Sequence, residues 1–145
     1  VLNPSVVGKT YPPMGYDVNV RKIHEYAKAT KNPSPIYAVP RYEIDKLPEK
    51  LQAPPCFAVV AQSDIFDYIL NDKDIGIDYP KMLHGSQEFE FFHPIYSGDH
   101  LVTVGKILNI DDKHNFEQLD LELITKNQDN VIVTRGVFTI LIRKP

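Results

Sequence analysis

Two periods divide the chain. Before His84 the apolar residues recur at helical spacing or are broken up by prolines; after it they alternate. Within residues 53–70, Phe57, Val59, Val60, Ile65, Phe66, Ile69 and Leu70 fall around most of a helical circumference, with Ala58 and Ala61 between them. A helix that is apolar nearly all round is a buried one. Pro54 and Pro55 suit its first turn, where no backbone N–H is wanted. Gln62, Ser63, Asp64 and Asp67 interrupt it, and it is too short to span a membrane. A first, amphipathic helix is expected after Asn19, an N-cap residue. It carries Val20, Ile23, Tyr26 and Ala27 on one face and Arg21, Lys22, Glu25 and Lys28 on the other. Pro33 and Pro35 forbid its continuation. Residues 1–16 read as irregular, with turn signals at Gly8, Pro12-Pro13 and Gly15. Residues 36–51 read as a proline-broken connection with a helical turn at 42–47.

The second half predicts strands. Residues 87–92 place Phe89 and Phe91 on one face and Glu88 and Glu90 on the other. Residues 101–110, 116–125 and 131–143 follow, with Leu119, Leu121 and Leu123 set against Asp120 and Glu122, and with Gly105 and Gly136 as candidate bulge or bend positions. Short links, including the hairpin signal at residues 127–130, predict an antiparallel meander. A sheet with one apolar face curling round one long buried helix is the hotdog arrangement. The fold class is therefore α+β, and residues 1–145 form a single domain. The unpaired sheet edge implies a second copy or a related subunit beside it.

Composition narrows the function. At 145 residues the chain can bury its own core. A net charge of −3 with scattered Lys and Arg argues against a nucleic-acid surface. One cysteine, Cys56, allows no internal disulfide and fits a reducing compartment; its apolar setting predicts an inert buried thiol. No stretch reads as a signal peptide or lipidation motif, so a cytoplasmic location is expected.

Five short segments carry a family resemblance: Val7-Gly8, Ile23-His24-Glu25-Tyr26-Ala27, Ala53-Pro54-Pro55, residues 83–91 (LHGSQEFEF) and residues 94–101 (PIYSGDHL). Together they span nearly the whole chain, and the last two are the most specific. The sequence resembles the MaoC-like hotdog family of (3R)-hydroxyacyl-thioester dehydratases and enoyl-thioester hydratases. It is similar in particular to the N-terminal dehydratase-like branch, which includes the non-catalytic subunit of mycobacterial (3R)-hydroxyacyl-carrier-protein dehydratases. The resemblance implies an acyl-coenzyme A or acyl-carrier-protein thioester as ligand, no cofactor and no metal, and a homodimer or a heterodimer with a catalytic hotdog subunit.

Active members of that family carry, after the first helix, an Asp and, five residues on, a His, in a pattern like Gly-Asp-x-Asn-Pro-(Ile/Leu)-His. Removing water across Cα–Cβ of a thioester needs a base for the α-proton and an acid for the departing hydroxyl. Here Asn32 stands at the Asp position and Tyr37 at the His position. An amide takes no proton, and a phenol with a pKa of about 10 is a poor shuttle at neutral pH. No Asp and His five apart occur between Thr30 and Tyr42. The expectation is a subunit without the dyad that binds the acyl chain and completes a dimer. Phe57, Val60, Phe89 and Phe91 are its candidate acyl-chain residues.

Two rival functions come with candidates of their own. A hotdog thioesterase would use a carboxylate on the central helix, Asp64 or Asp67, although the plain reading puts both on its wet side. A binding module would hold the thioester without chemistry. His84 could help hold a thioester carbonyl or line the dimer seam, or simply cap a turn. His24 reads as a solvated helix histidine, and no His pair has metal-ligand spacing. Ser63 lacks a nucleophile-elbow setting.

Overall fold

In a computed structural model of the protein, residues 1–37 and 50–145 are described. The helical turn expected at 42–47 lies outside them. The elements are β1 (Thr10–Asp17), α1 (Val20–Ala29), α2 (Ala58–Leu70), β2 (Met82–Phe91), β3 (His100–Asp112), β4 (Phe116–Lys126) and β5 (Ile132–Arg143). Asn19 caps α1, its side chain accepting from the Arg21 N–H. A turn of 3-10 helix, Pro55–Phe57, leads into α2.

The five strands form one antiparallel sheet in the order β1-β3-β4-β5-β2. β3, β4 and β5 are the expected meander. The turn between β4 and β5 is fixed by Asn127, whose Oδ1 accepts from the N–H groups of Asp129 and Val131, and by Asn130 at φ 59°. β2 departs from the meander. It pairs with β5 at one edge, and residues 92–99 carry the chain back to the other side of the sheet. Residues 10–17, expected as mostly irregular, form the opposite edge strand. Pro12 and Pro13 are accommodated because the register shifts between Tyr11 and Met14, so neither proline is asked for a ladder hydrogen bond.

β4 shows the alternation that builds the core. Glu117, Leu119, Leu121, Leu123 and Thr125 are buried, while the residues between them are half-exposed. Glu117 is tolerated inside because its carboxylate accepts the Leu2 N–H at 3.0 Å. On the outer face Arg135 bridges Glu122 and Glu90, tying β4, β5 and β2 together.

α2 lies on the inner face with Ala58, Ala61, Gln62, Ile65, Ile69 and Leu70 buried. The expectation of burial all round is corrected: Val59 and Tyr68 are exposed, because one sheet covers only one side of a helix. Two glycines let the helix approach. A Cβ on Gly105 would stand 2.5 Å from Ile69 Cδ1. Gly105 also stays in register with Leu123, so it is a close-approach position and not a bulge. Gly136 likewise stays in register, and a Cβ there would meet Phe138, Phe89 and Gln62. Two further expectations fail. Cys56 is exposed, because it sits in the 3-10 turn ahead of the buried stretch. His24 is buried, on the side of α1 that also carries Ile23 and Ala27.

A polar clamp closes the C-terminal end of α2. The buried Tyr11 donates to Asp72 Oδ2 at 2.8 Å, and Lys9 Nζ reaches Asp72 at 2.5 Å and Asp74 at 3.0 Å. Partial burial pushes the Asp72 carboxyl up. Hydrogen bonds from Lys9, Tyr11 and the Asp74 N–H outweigh it and hold the group below the ordinary carboxylate range.

Two predictions follow from this packing. Gly105→Val should cost about 1–3 kcal/mol of stability by overpacking. Adding Ile69→Ala should make the double variant less destabilised than the sum of the singles, as read in denaturant titrations. Asp72→Asn should lower Tm at neutral pH. A lowered folded-state pKa gives stability that is present above the unfolded value, about 3.9, and lost as pH falls through the folded value. The Tm gap between wild type and Asp72→Asn should therefore close in acid, which thermal scans across pH would check.

Candidate functional site

The site is framed by the segment that enters α2. Ala53 N–H donates to Ile95 O at 2.7 Å, Leu51 N–H donates to Ser97 Oγ at 2.7 Å, and Gln52 bridges to Tyr96. The opposing turn is held by Asp99, which is buried. Its carboxylate accepts from the Tyr96 N–H at 2.8 Å and the Gln128 amide at 3.1 Å, while Gly98 takes a positive φ of 86°. The segment resembling the family at residues 94–101 thus has a structural task here: it fixes where α2 begins relative to the sheet.

Two cavities lie on the side of β2, one at the segment that leads into α2 and one beside α2 itself. The first, about 190 Å³, lies between Pro54-Pro55 and the end of β2, against Phe91, Phe92 and Val133. The second, about 160 Å³, lies between Val59, Ser63, Phe66 and Asp67 of α2 and His84, Gln87 and Phe138 of the sheet. A row of aromatic rings joins them. Phe91 packs on Phe89 at 5.5 Å, Phe89 on Phe138 at 5.9 Å, and Phe138 on Phe66 at 5.0 Å between centroids. Such a row offers an apolar track with few hydrogen-bonding demands.

The candidate residues separate along it. Phe89 lies within the track, and Phe91 lines the first cavity with its ring half-exposed. Phe57 does not open to either cavity. It is fully buried against Tyr16 and Tyr26, anchoring α2 to β1 and α1. Val60 is half-buried beside that same cluster. Asp64 and Asp67 are both exposed; Asp67 rims the second cavity, whereas Asp64 lies on the Tyr16 side, where its charge helps raise the phenol pKa behind the larger effect of burial. His84 rims the second cavity, stacked on Phe138 at 6.0 Å. Ser63 donates to Val60 O at 2.8 Å, so its hydroxyl is tied to its own helix.

Asn32 and Tyr37, the residues expected from the sequence to stand at the dyad positions, sit in the loop after α1. Asn32 Oδ1 accepts the Ser34 N–H at 3.0 Å, an Asx turn that shapes the loop. The Tyr37 N–H donates to Ser34 O. An imidazole does meet a carboxylate at His100 and Asp17, 2.6 Å apart, but this is an exposed cross-strand pair that lines neither cavity beside α2. Among the described residues no group of three His, Cys, Asp or Glu is placed to hold a metal ion, and no helix is long and apolar enough to cross a membrane.

One feature lies outside the expectations drawn from the sequence: a buried polar chain at the second cavity. Gln62 Nε2 lies 3.0 Å from Thr125 Oγ1, which lies 2.8 Å from Thr103 Oγ1. All three residues are almost wholly buried. The available signal was a glutamine within an apolar helix facing threonines at inward strand positions.

Comparison with known proteins agrees with this geometry. The family model described as FAS1-like, dehydratase domain region, matches residues 5–135. A UPF0336 protein of Saccharopolyspora erythraea is 38% identical over 112 residues, covering 77% of this chain and 70% of that one. The (3R)-hydroxyacyl-ACP dehydratase complex HadBC of Mycobacterium tuberculosis superposes with a TM-score of 0.77 at 22% identity, over 94% of this chain and 96% of that chain. A MaoC-like dehydratase superposes with a TM-score of 0.81 at 20% identity, over 97% of this chain and 43% of that one. The helix-on-sheet packing, the two cavities on the β2 side and the match along nine-tenths of the sequence lead to one assignment: the chain belongs to the FAS1-like dehydratase-region family and has the fold of the MaoC-like hotdog dehydratases and hydratases.

Proposed function

We propose that the protein is a subunit of a (3R)-hydroxyacyl-thioester dehydratase or enoyl-thioester hydratase of fatty-acid metabolism that lacks the proton-handling dyad and holds the acyl chain. The observation that carries this reading is the aromatic track from Phe91 through Phe89 and Phe138 to Phe66, in a fold whose dyad positions are Asn32 and Tyr37. An acyl chain needs apolar surface and shape, which the track supplies. The elimination needs a base and an acid of suitable pKa, which Asn32 and Tyr37 do not supply. A partner would bring them. Two features support a partner: the similar HadBC is itself a complex, and β2 leaves an open sheet edge with Leu83, Phe91 and Phe92 exposed near it. The ligand is an acyl group on coenzyme A or acyl carrier protein, and no cofactor is required.

A thioesterase is the second reading, favoured by one observation: Asp67 and His84 rim the same cavity. Against it, the two side chains share no hydrogen bond or ion pair that would poise a water. Asp64, the other carboxylate considered for this chemistry, lines neither cavity beside α2.

The purified chain alone should leave crotonyl-coenzyme A unhydrated. Mixed with a hotdog protein that keeps the Asp and His five apart, it should support hydration. In that mixture Phe91→Ala should raise KM for long-chain substrates about 5- to 30-fold while sparing short ones, as expected for 1–2 kcal/mol of lost apolar contact. Steady-state hydration assays over a chain-length series check both outcomes. If instead the chain alone hydrolyses acyl-coenzyme A and Asp67→Asn lowers that rate by about 100-fold or more, the thioesterase reading replaces this one.

A further inference from the structure

The outer face of the sheet, turned away from α2, has two halves. Around the middle of β4 its polar groups satisfy one another: Gln118 and Thr139 both donate to Asp120, and Arg135 bridges Glu122 and Glu90. Toward the other end stand Val102 and Val104 of β3, Ile124 of β4 and Ile132 of β5. They are contiguous, because Val104 pairs with Ile124 and Lys126 pairs with both Val102 and Ile132. Val102, Val104 and Ile124 alternate along their strands with the buried Leu101, Thr103, Leu123 and Thr125, so they point away from the core. Val104 is 41% exposed and Ile132 39%. Open β-branched residues on three adjacent strands are what a sheet presents to a second layer. A shallow groove of about 490 Å³ lies over the patch, with Gln128 and Asn130 of the β4–β5 turn on its rim.

The charges at the margins point to what forms that second layer. Lys126 flanks the patch on β4 and makes no ion pair with a described residue. Asp17 flanks it on β1, its side chain 90% exposed, with Oδ1 against His100 Nδ1. β1 and β4 lie on opposite sides of β3 in the sheet. A two-fold axis in the plane of contact and running along β3 therefore sets β3 over β3 and β1 over β4. Val102 and Val104 then meet their counterparts, and Asp17 of each copy meets Lys126 of the other. Asp17 is level with His100 and Lys126 with Val102. That offset of two residues, about 7 Å along the strand, is one that a lysine side chain spans. A patch whose cation and carboxylate lie on opposite sides of an apolar centre is complementary to itself, as an isologous contact requires.

We propose that the outer face over β1, β3 and β4 is a contact between two copies of this chain, sheet on sheet, closed at Val102 and Val104 and oriented by Asp17–Lys126 pairs across the axis. The contact goes beyond the function proposed above and does not rest on it. It uses neither β2 nor the cavities on the β2 side, so a chain held this way keeps its β2 edge open to a different subunit. A few β-branched side chains and two exposed ion pairs are less than a standard interface provides, so the association is weak, in the micromolar range.

Sedimentation equilibrium of the full chain, from micromolar to near-millimolar concentration, should show a monomer–dimer equilibrium that weakens as salt is raised. Asp17→Lys and Lys126→Glu should each weaken it about tenfold, because each sets like charges face to face at both ends of the contact. An equimolar mixture of the two variants should recover the wild-type affinity as a heterodimer, since one chain then offers two lysines and the other two carboxylates. That recovery also shows both variants to be folded. A wild-type chain that stays monomeric over the whole range overturns the proposal. So does a dimer that neither charge reversal weakens, which would join at the β2 edge instead. If each reversal weakens the dimer and the mixture fails to recover it, Asp17 and Lys126 do not face each other and the proposed contact is wrong.

Discussion

The structure depends on how closely α2 lies on the inner face of the sheet. Ile65 and Ile69 are fully buried against β3 and β4, and the approach is possible only because Gly105 has no side chain. Burying each isoleucine contributes about 1.5–3 kcal/mol. A helix held this close leaves no room for a second layer beneath it. The residues that do not fit the contact are pushed to its flanks, where Val59, Ser63, Phe66 and Asp67 face the β2 side. The second cavity follows from this packing: α2 is pressed against β3 where Gly105 lies, and the gap opens on its other flank, toward β2. The Asp99 turn and the Asp72 clamp fix the two ends of the helix.

Much of this was legible from periodicity. Ile65, Ile69 and Leu70 marked a helix that packs on the core, though not one covered all round, and the Leu119, Leu121 and Leu123 alternation marked a strand with a core face, because a period of two reflects a single covered side. Strand order was not legible in the same way. Local pattern does not encode which edge a strand joins, and the return of residues 92–99 across the sheet is set by long-range bonds such as Ala53 to Ile95. β1 was hidden by its prolines, which signal turns locally but are tolerated at a sheet edge.

The candidate site was read less completely, for a related reason. Phe89 and Phe91 belong to the aromatic track, whereas Phe57 turned inward; an apolar residue at a helix entry has the same sequence signature in either role. Asp64 and Asp67 lie one turn apart, yet only Asp67 rims a cavity, because the second cavity occupies a narrow arc of the helix. In the sequence Gln62 reads as a polar break in an apolar run. Its meaning comes from Thr103 and Thr125, far away in sequence on neighbouring strands and adjacent only once β3 and β4 pair.

Asn32 and Gln62 use their side-chain amides in different ways. Asn32 spends its side chain on shaping its own loop, which any residue favouring an Asx turn could do. Gln62 sits where packing alone would favour a leucine or methionine, and its amide leaves one oxygen unpaired in the core. Its amide donates to Thr125, which also meets Thr103, so the three polar groups share one buried network between the helix and the sheet. Asn32 thus shapes its own loop, whereas Gln62 ties α2 to β4 and, through Thr125, to β3, two strands far away in sequence.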